Sequence, residues 1–143
     1  RLFTELSQKF TIVFPIHRRT RKNFEAANQV LQWTENGNLH LLDPLGYFDF
    51  QKLVKHADFI LTDSGGIQEE STYRQVPCLT LRENTERPIT VELGTNTLVP
   101  FDEDFILSLI DEIHAGTYKK GVIPPMWDGK ATERILTLIT DLL

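Results

Sequence analysis

Phe59-Ile60-Leu61-Thr62-Asp63-Ser64-Gly65-Gly66-Ile67-Gln68-Glu69-Glu70 is the stretch on which the reading of the fold turns. An apolar, β-forming run ends in a small glycine-rich turn and leads into a segment of helical character. A strand that stops in such a turn and starts a helix leaves the first helical N–H groups without intrahelical acceptors. With the positive end of the helix dipole, those groups form a site for phosphate. The two glycines let a ligand reach the backbone with no Cβ in the way. Ser64 can cap the helix or donate to a phosphate oxygen, and an ordinary N-cap turn is the competing account.

Working outward, the chain alternates strands and helices. Leu2, Phe3, Leu6 and Phe10 have helical spacing, so residues 1–9 read as the end of an amphipathic helix. Residues 10–15 (FTIVFP) read as a buried strand, and a helix over roughly 20–33 follows. Asn36-Gly37-Asn38 signals a turn before the strand 39–42, which Asp43-Pro44-Leu45-Gly46 stops. Apolar residues at 47, 50, 53, 54 and 57 predict a helix over 47–56. After the strand 59–62 and the helix 67–74 come a strand at 76–81, a polar loop at 82–88 and a short strand at 95–99. Phe101-Asp102-Glu103-Asp104 gives an acidic start to a helix with Phe105, Ile106, Leu109, Ile110 and Ile113 on one face. A loop over 116–129 precedes a last helix, 130–143, with Ile135, Leu138, Ile139 and Leu142 on its apolar face. This alternation implies βαβ units: an α/β fold with a Rossmann-like parallel sheet and helices on both faces.

In such sheets ligands bind beyond the carboxyl ends of the strands. His17, Asp43 to Tyr47, Asp63 to Gly66 and Arg82 to Arg87 all follow strand ends. His17 reads as a phosphate contact, a proton donor or a plain strand-end residue. Arg18, Arg19, Arg21 and Lys22 read as a solvated helix start. One of Glu69 and Glu70 can face the pocket and accept the two hydroxyls of a sugar diol, and spacing alone does not choose between them. Arg87 can balance a diphosphate or pair with Glu86 or Glu83. Tyr47 and Phe50 are core residues or a wall for a base, and Cys78 is a small buried strand residue.

The chain has 143 residues, one domain's worth, and 41% hydrophobic residues suffice for a core. A net charge of −5 gives no electrostatic support for nucleic-acid or membrane-surface binding. The one cysteine excludes an internal disulfide and suits a reducing compartment, so a cytosolic domain is expected. Metal-ligand spacings, a Ser-His-Asp arrangement and a lysine-bearing phosphate loop are absent from the sequence. The chain opens on Arg1, within what reads as a helix already under way, and is expected to be part of a longer protein.

LTDSGGIQEE (61–70), VPCLTLRENTERP (76–88) and VELGTNTLV (91–99) together resemble the non-hydrolysing UDP-N-acetylglucosamine 2-epimerases. FPIHRRTR (14–21), DPLGYFDF (43–50) and WDGKATERI (127–135) are similar to other stretches of that family in the same order. The resemblance implies one half, the C-terminal domain, of a GT-B fold, with residues 1–143 forming a single nucleotide-sugar-binding domain. It implies UDP-binding roles for Ser64, Gly65, Gly66, Glu70, Phe50 and Arg87, and makes His17 and Glu69 candidates for a sugar or second-site contact. It implies UDP and a UDP-N-acetylhexosamine as ligands, no cofactor, no metal, and a homodimeric full-length enzyme. The implied reaction interconverts UDP-GlcNAc and UDP-ManNAc by elimination and re-addition of UDP. The family's acid/base carboxylates belong to the N-terminal domain, so no catalytic residue is expected here and the isolated chain is expected to be inactive. The alternative is the nucleotide-binding half of a GT-B glycosyltransferase.

Overall fold

A computed structural model of the chain describes residues 2–26 and 38–142. The fold is α/β, and every strand pairing in it is parallel. The chain divides into two compact units, Arg1–Gln51 and Lys52–Leu143, each described by itself.

In the first unit, helix α1 (Leu2–Lys9), strand β1 (Ile12–Pro15), helix α2 (Arg18–Ala26) and strand β2 (Leu39–Leu42) follow in order. β1 and β2 pair from Ile12 with Leu39 to Pro15 with Leu42. Pro15 has no N–H to donate. The ladder is continued instead by Ile16, whose N–H bonds to the Leu42 carbonyl at 3.0 Å. α1 turns Leu2 and Leu6 inward, and the Phe3 ring stacks on Phe14 with centroids 5.7 Å apart. Val13, expected within a buried strand, is exposed, because successive strand side chains point to opposite faces. The helix expected from about residue 20 begins at Arg18. Its stretch from 27 to 33 lies outside the described residues, as does most of the turn expected at 36–38.

Helix α3 (Tyr47–His56) has the predicted bounds. Val54 is buried, whereas Tyr47, expected on the same apolar stripe, is exposed.

The second unit contains β3 (Ile60–Thr62), α4 (Gly65–Arg74), β4 (Cys78–Thr80), α5 (Pro88–Glu92), β5 (Asn96–Leu98), α6 (Glu103–Ala115) and α7 (Ala131–Leu142). The strands lie in the order β3-β4-β5, with Ile60 opposite Cys78 and Cys78 opposite Asn96. β4 is therefore central, and Cys78, Leu79 and Thr80 are all fully buried. Burial pushes the Cys78 thiol pKa up. α4 packs against β4 and β5 and ends on Gln75, in the left-handed region at φ 59°. α6 starts as expected: Asp102 is its N-cap and accepts from the Phe105 N–H at 3.0 Å. Ile106, Leu109 and Ile110 bury its apolar face.

This unit departs from the sequence reading in several places. The strands expected at 59–62, 76–81 and 95–99 are each shorter, and Phe105, expected on the apolar face of α6, is exposed. α4 begins at Gly65 rather than Ile67. The loop expected through residue 88 stops one residue earlier, and Pro88 opens the short helix α5. α7 is amphipathic in sequence, but Ile135, Leu138, Ile139 and Leu142 are between 50% and 86% exposed, so its apolar stripe is not part of the described core.

Two glycines in this unit mark close backbone approach. A Cβ on Gly94 would fall 2.5 Å from both Thr72 Oγ1 and the Thr90 carbonyl. A Cβ on Gly121 would fall 2.5 Å from the Gly94 carbonyl carbon. Only glycine lets α4, the end of α5 and the segment at 121 meet this closely. Beside them Tyr118 is buried, donating to the Thr95 carbonyl at 3.0 Å and sharing a 2.6 Å hydrogen bond with Thr97 Oγ1. Burial pushes its phenol pKa up to about 12.

Candidate functional site

Parallel pairing brings the ends of β3 and β4 together, and the two loops that leave them are tied to each other. The Leu81 N–H bonds to the Thr62 carbonyl at 2.8 Å, extending the ladder past the strand ends. Thr62 Oγ1 then accepts from the Ser64 N–H at 3.1 Å, which folds the chain over into the turn. From the loop after β4, Arg82 Nε donates to the Asp63 carbonyl at 2.7 Å. Its Nη1 also lies 3.4 Å from Glu86 Oε2. The carboxyl of Glu86 is held below its usual pKa, first by a bond from its own backbone N–H and then by Arg82.

Ser64 occupies the N-cap position of α4 in an extended conformation, φ −82° and ψ 132°. Its hydroxyl makes no capping bond, so the first N–H groups of α4 are left for another acceptor. Gly65 and Gly66 are helical residues with no need for a positive φ. Around Gly66 a Cβ would meet nothing within 4 Å, and around Gly65 only Glu86 Oε2, at 3.9 Å. Neither packing nor backbone conformation calls for glycine at these two places, and each lowers helix propensity by up to about 1 kcal/mol relative to alanine. What the pair does provide is bare, accessible backbone at the positive end of a ten-residue helix.

Glu69 and Arg87 flank this turn. Glu69 Oε2 lies 3.0 Å from Arg87 Nε. The contact is an ion pair without hydrogen-bond alignment, and the buried Nε has no aligned acceptor among the described residues. Both side chains are about two-fifths exposed, so the pair contributes little to stability. Arg87 forms its ion pair with Glu69, while the Glu86 carboxylate pairs with Arg82 and the Glu86 carbonyl accepts from Arg87 Nη1 at 3.4 Å.

The second unit thus brings together Ser64, Gly65, Gly66, Glu69 and Arg87. Glu70, one residue further along the same helix, is half-buried. His17 and Phe50 belong to the first unit. His17 is exposed at the start of α2, where its Nδ1 accepts from the Arg19 N–H at 3.3 Å. Phe50 is half-buried in the first turn of α3, its N–H bonded to the Gly46 carbonyl at 3.0 Å. No group of three or more histidine, cysteine or acidic side chains that could hold a metal ion lies together among the described residues.

Sequence reasoning missed the side chains beneath the turn. Gln68 is fully buried and bonds to Thr85 of the arginine-bearing loop at 2.6 Å and to Asn96 of β5 at 3.1 Å. Its neighbours Glu69 and Glu70 drew attention because carboxylates have an evident chemistry. An uncharged amide in the first turn of a helix gives no comparable signal.

The family model described as UDP-N-acetylglucosamine 2-epimerase matches residues 1–140. The UDP-N-acetylglucosamine 2-epimerase of Methanocaldococcus jannaschii is 40% identical over 129 residues, covering 90% of this chain and 35% of the relative. That of Bacillus subtilis is 38% identical over 129 residues, covering 87% and 33%. The crystal structure of the Methanocaldococcus jannaschii UDP-GlcNAc 2-epimerase in complex with UDP-GlcNAc and UDP superposes with a TM-score of 0.77 and 41% identity. That likeness covers 97% of this chain and 38% of the other. The chain thus spans about a third of the length of the relatives it matches. Its parallel α/β fold is that of these GT-B-like enzymes. On the match of the family model along nearly its whole length, the chain belongs to the UDP-N-acetylglucosamine 2-epimerase family.

Proposed function

We propose that this chain is the UDP-binding part of an isomerase that interconverts UDP-GlcNAc and UDP-ManNAc. The observation that carries the reading is the pair Gly65 and Gly66, helical glycines in open space that the fold itself does not require. Their exposed N–H groups and the Arg87 guanidinium offer positive charge to a diphosphate, with Ser64 Oγ as a further donor. Glu70, one turn beyond Gly66, accepts the ribose hydroxyls in this reading. Glu69 and His17 are the candidates for a sugar or second-site contact. Residues 1–143 act here as one nucleotide-sugar-binding domain, and the whole protein as a cytoplasmic homodimer that binds neither nucleic acid nor membrane. The single cysteine and the charge of −5 agree with that setting, and no described helix is long and apolar enough to cross a membrane.

The chemistry follows from the charges. Elimination across C1–C2 of the sugar removes the C2 proton and expels UDP, whose departing β-phosphate gains negative charge. In this reading the helix N-terminus and Arg87 stabilise the charge as it develops. Re-addition of UDP with a proton on the opposite face of C2 gives the epimer. The proton transfers need a carboxylate base, which this chain is not proposed to supply.

Two experiments test the reading. The protein that carries this chain, incubated with UDP-GlcNAc, gives UDP-ManNAc by NMR; transfer of the sugar to an acceptor with no epimer overturns the isomerase assignment. Calorimetry with UDP should show that Glu70→Ala and Ser64→Ala each weaken binding, by about tenfold for Glu70 as its two hydrogen bonds are lost. Unchanged affinity in both variants would remove the pocket assignment.

A further inference from the structure

Arg87 owes its place to a set of polar side chains packed beneath the turn. Its backbone N–H donates to Thr85 Oγ1 at 2.9 Å. Thr85 Oγ1 donates in turn to Gln68 Oε1 at 2.6 Å. Gln68 Oε1 also accepts from Asn96 Nδ2 at 3.1 Å, and the same amide nitrogen donates to Thr90 Oγ1 at 3.0 Å. Thr90 Oγ1 closes the path by donating to the Arg87 carbonyl at 2.7 Å. The hydrogen bonds form a ring that leaves the peptide of Arg87 on one side and returns to it on the other.

The ring admits one assignment of donors and acceptors. An N–H can only donate, so Thr85 must accept from Arg87 and spend its own proton on Gln68, which fixes the oxygen of Gln68 towards it. A carbonyl can only accept, so Thr90 must donate to Arg87 and accept from Asn96. Asn96 therefore presents its NH₂ to both Gln68 and Thr90, and its oxygen is left to accept from Thr80 Oγ1 at 2.6 Å. Gln68, Thr80, Thr90 and Asn96 are fully buried. Gln68 Nε2 reaches the Ser64 carbonyl at 3.4 Å, so the same amide touches the turn and the arginine loop.

We propose that Gln68 and Asn96, acting through Thr85 and Thr90, are positioning residues that fix Arg87 relative to the Ser64-Gly65-Gly66 turn. The proposal rests on the reading that Arg87 faces the diphosphate of UDP, and it assigns affinity for phosphate to side chains that never touch it. Apolar residues of the same size would fill the space of the buried amides without joining the loop to the helix.

The test compares UDP with uridine, which lacks the phosphates, by calorimetry. Thr85→Val keeps the shape and loses the hydroxyl; it should weaken UDP about tenfold and change uridine by less than about twofold, since a small misplacement of a charged contact is costly. Thr85→Ser should restore native affinity. Asn96→Asp, which cannot donate to both neighbours, should repeat the UDP-selective loss. With Arg87→Ala already present, Thr85→Val should remove nothing further. Equal loss of UDP and uridine, failure of the serine variant to rescue, or full additivity with Arg87→Ala overturns the proposal. A silent Thr85→Val beside a weakened Arg87→Ala overturns it alone, and a silent Arg87→Ala overturns the diphosphate reading with it.

Discussion

Two pairs of glycines in the same unit do opposite things. Gly94 and Gly121 sit where backbone meets backbone, and a single added carbon on either would collide at 2.5 Å. Gly65 and Gly66 sit in the first turn of a helix with room on all sides. The first pair is explained by the fold and needs no ligand. The second pair is left unexplained by the fold, and the proposed diphosphate contact would account for it. A glycine becomes informative about function once its surroundings are known to allow something larger.

The largest effect should come from the closed pair. Gly94→Ala forces Thr72 and the Thr90 carbonyl apart and should lower unfolding free energy by about 3 kcal/mol, near the upper end for overpacking, in urea titration. Gly66→Ala should do the reverse: UDP affinity falls at least about tenfold, while stability is unchanged or rises by up to about 1 kcal/mol from helix propensity. A Gly66→Ala protein that is less stable, or one that binds UDP as before, would erase the distinction between the two pairs.

A smaller effect sharpens the closed side. Tyr118→Phe leaves Thr97 Oγ1 and the Thr95 carbonyl with one partner fewer and should lower stability by about 1 kcal/mol at neutral pH. The native phenol has a folded-state pKa raised to about 12 from an ordinary 10. Its contribution is therefore fully present below pH 10 and is lost as pH rises from 10 through 12, where the unfolded chain ionises first. The phenylalanine variant should lack that part of the alkaline decline, as measured by urea midpoints between about pH 9 and about 12.

Where one local signal decided an element, the sequence was enough to find it. The four-residue run Leu39–Leu42 and the period of Tyr47–His56 gave both elements with their observed bounds. Asp102 declared the start of α6. Pro88–Glu92 was missed because five residues are too few to show a period, and Thr90 and Val91 favour strands; Pro88 in the first helical turn was the available clue. The stripe on Ala131–Leu142 was read correctly as a pattern, but a pattern does not say whether it is covered, and here it is exposed. Of the candidate site, the glycine turn and Arg87 were legible because their chemistry shows in their residue types. Gln68, Thr80, Thr90 and Asn96 were not, since polar residues are ordinarily assigned to the surface. Only their mutual hydrogen bonds, made across 28 positions between Gln68 and Asn96, make their burial favourable.

Cys78 gives the molecule a clock of its own. It is the one thiol among 143 residues, and it sits in the strand that has a neighbour on each side. Closed, it is both walled off and kept protonated, so reagents that need a thiolate pass it by. Each capture event must then wait for the packing over β4 to open. With reagent in large excess, the pace of labelling becomes the pace of that opening, and no second thiol blurs the count.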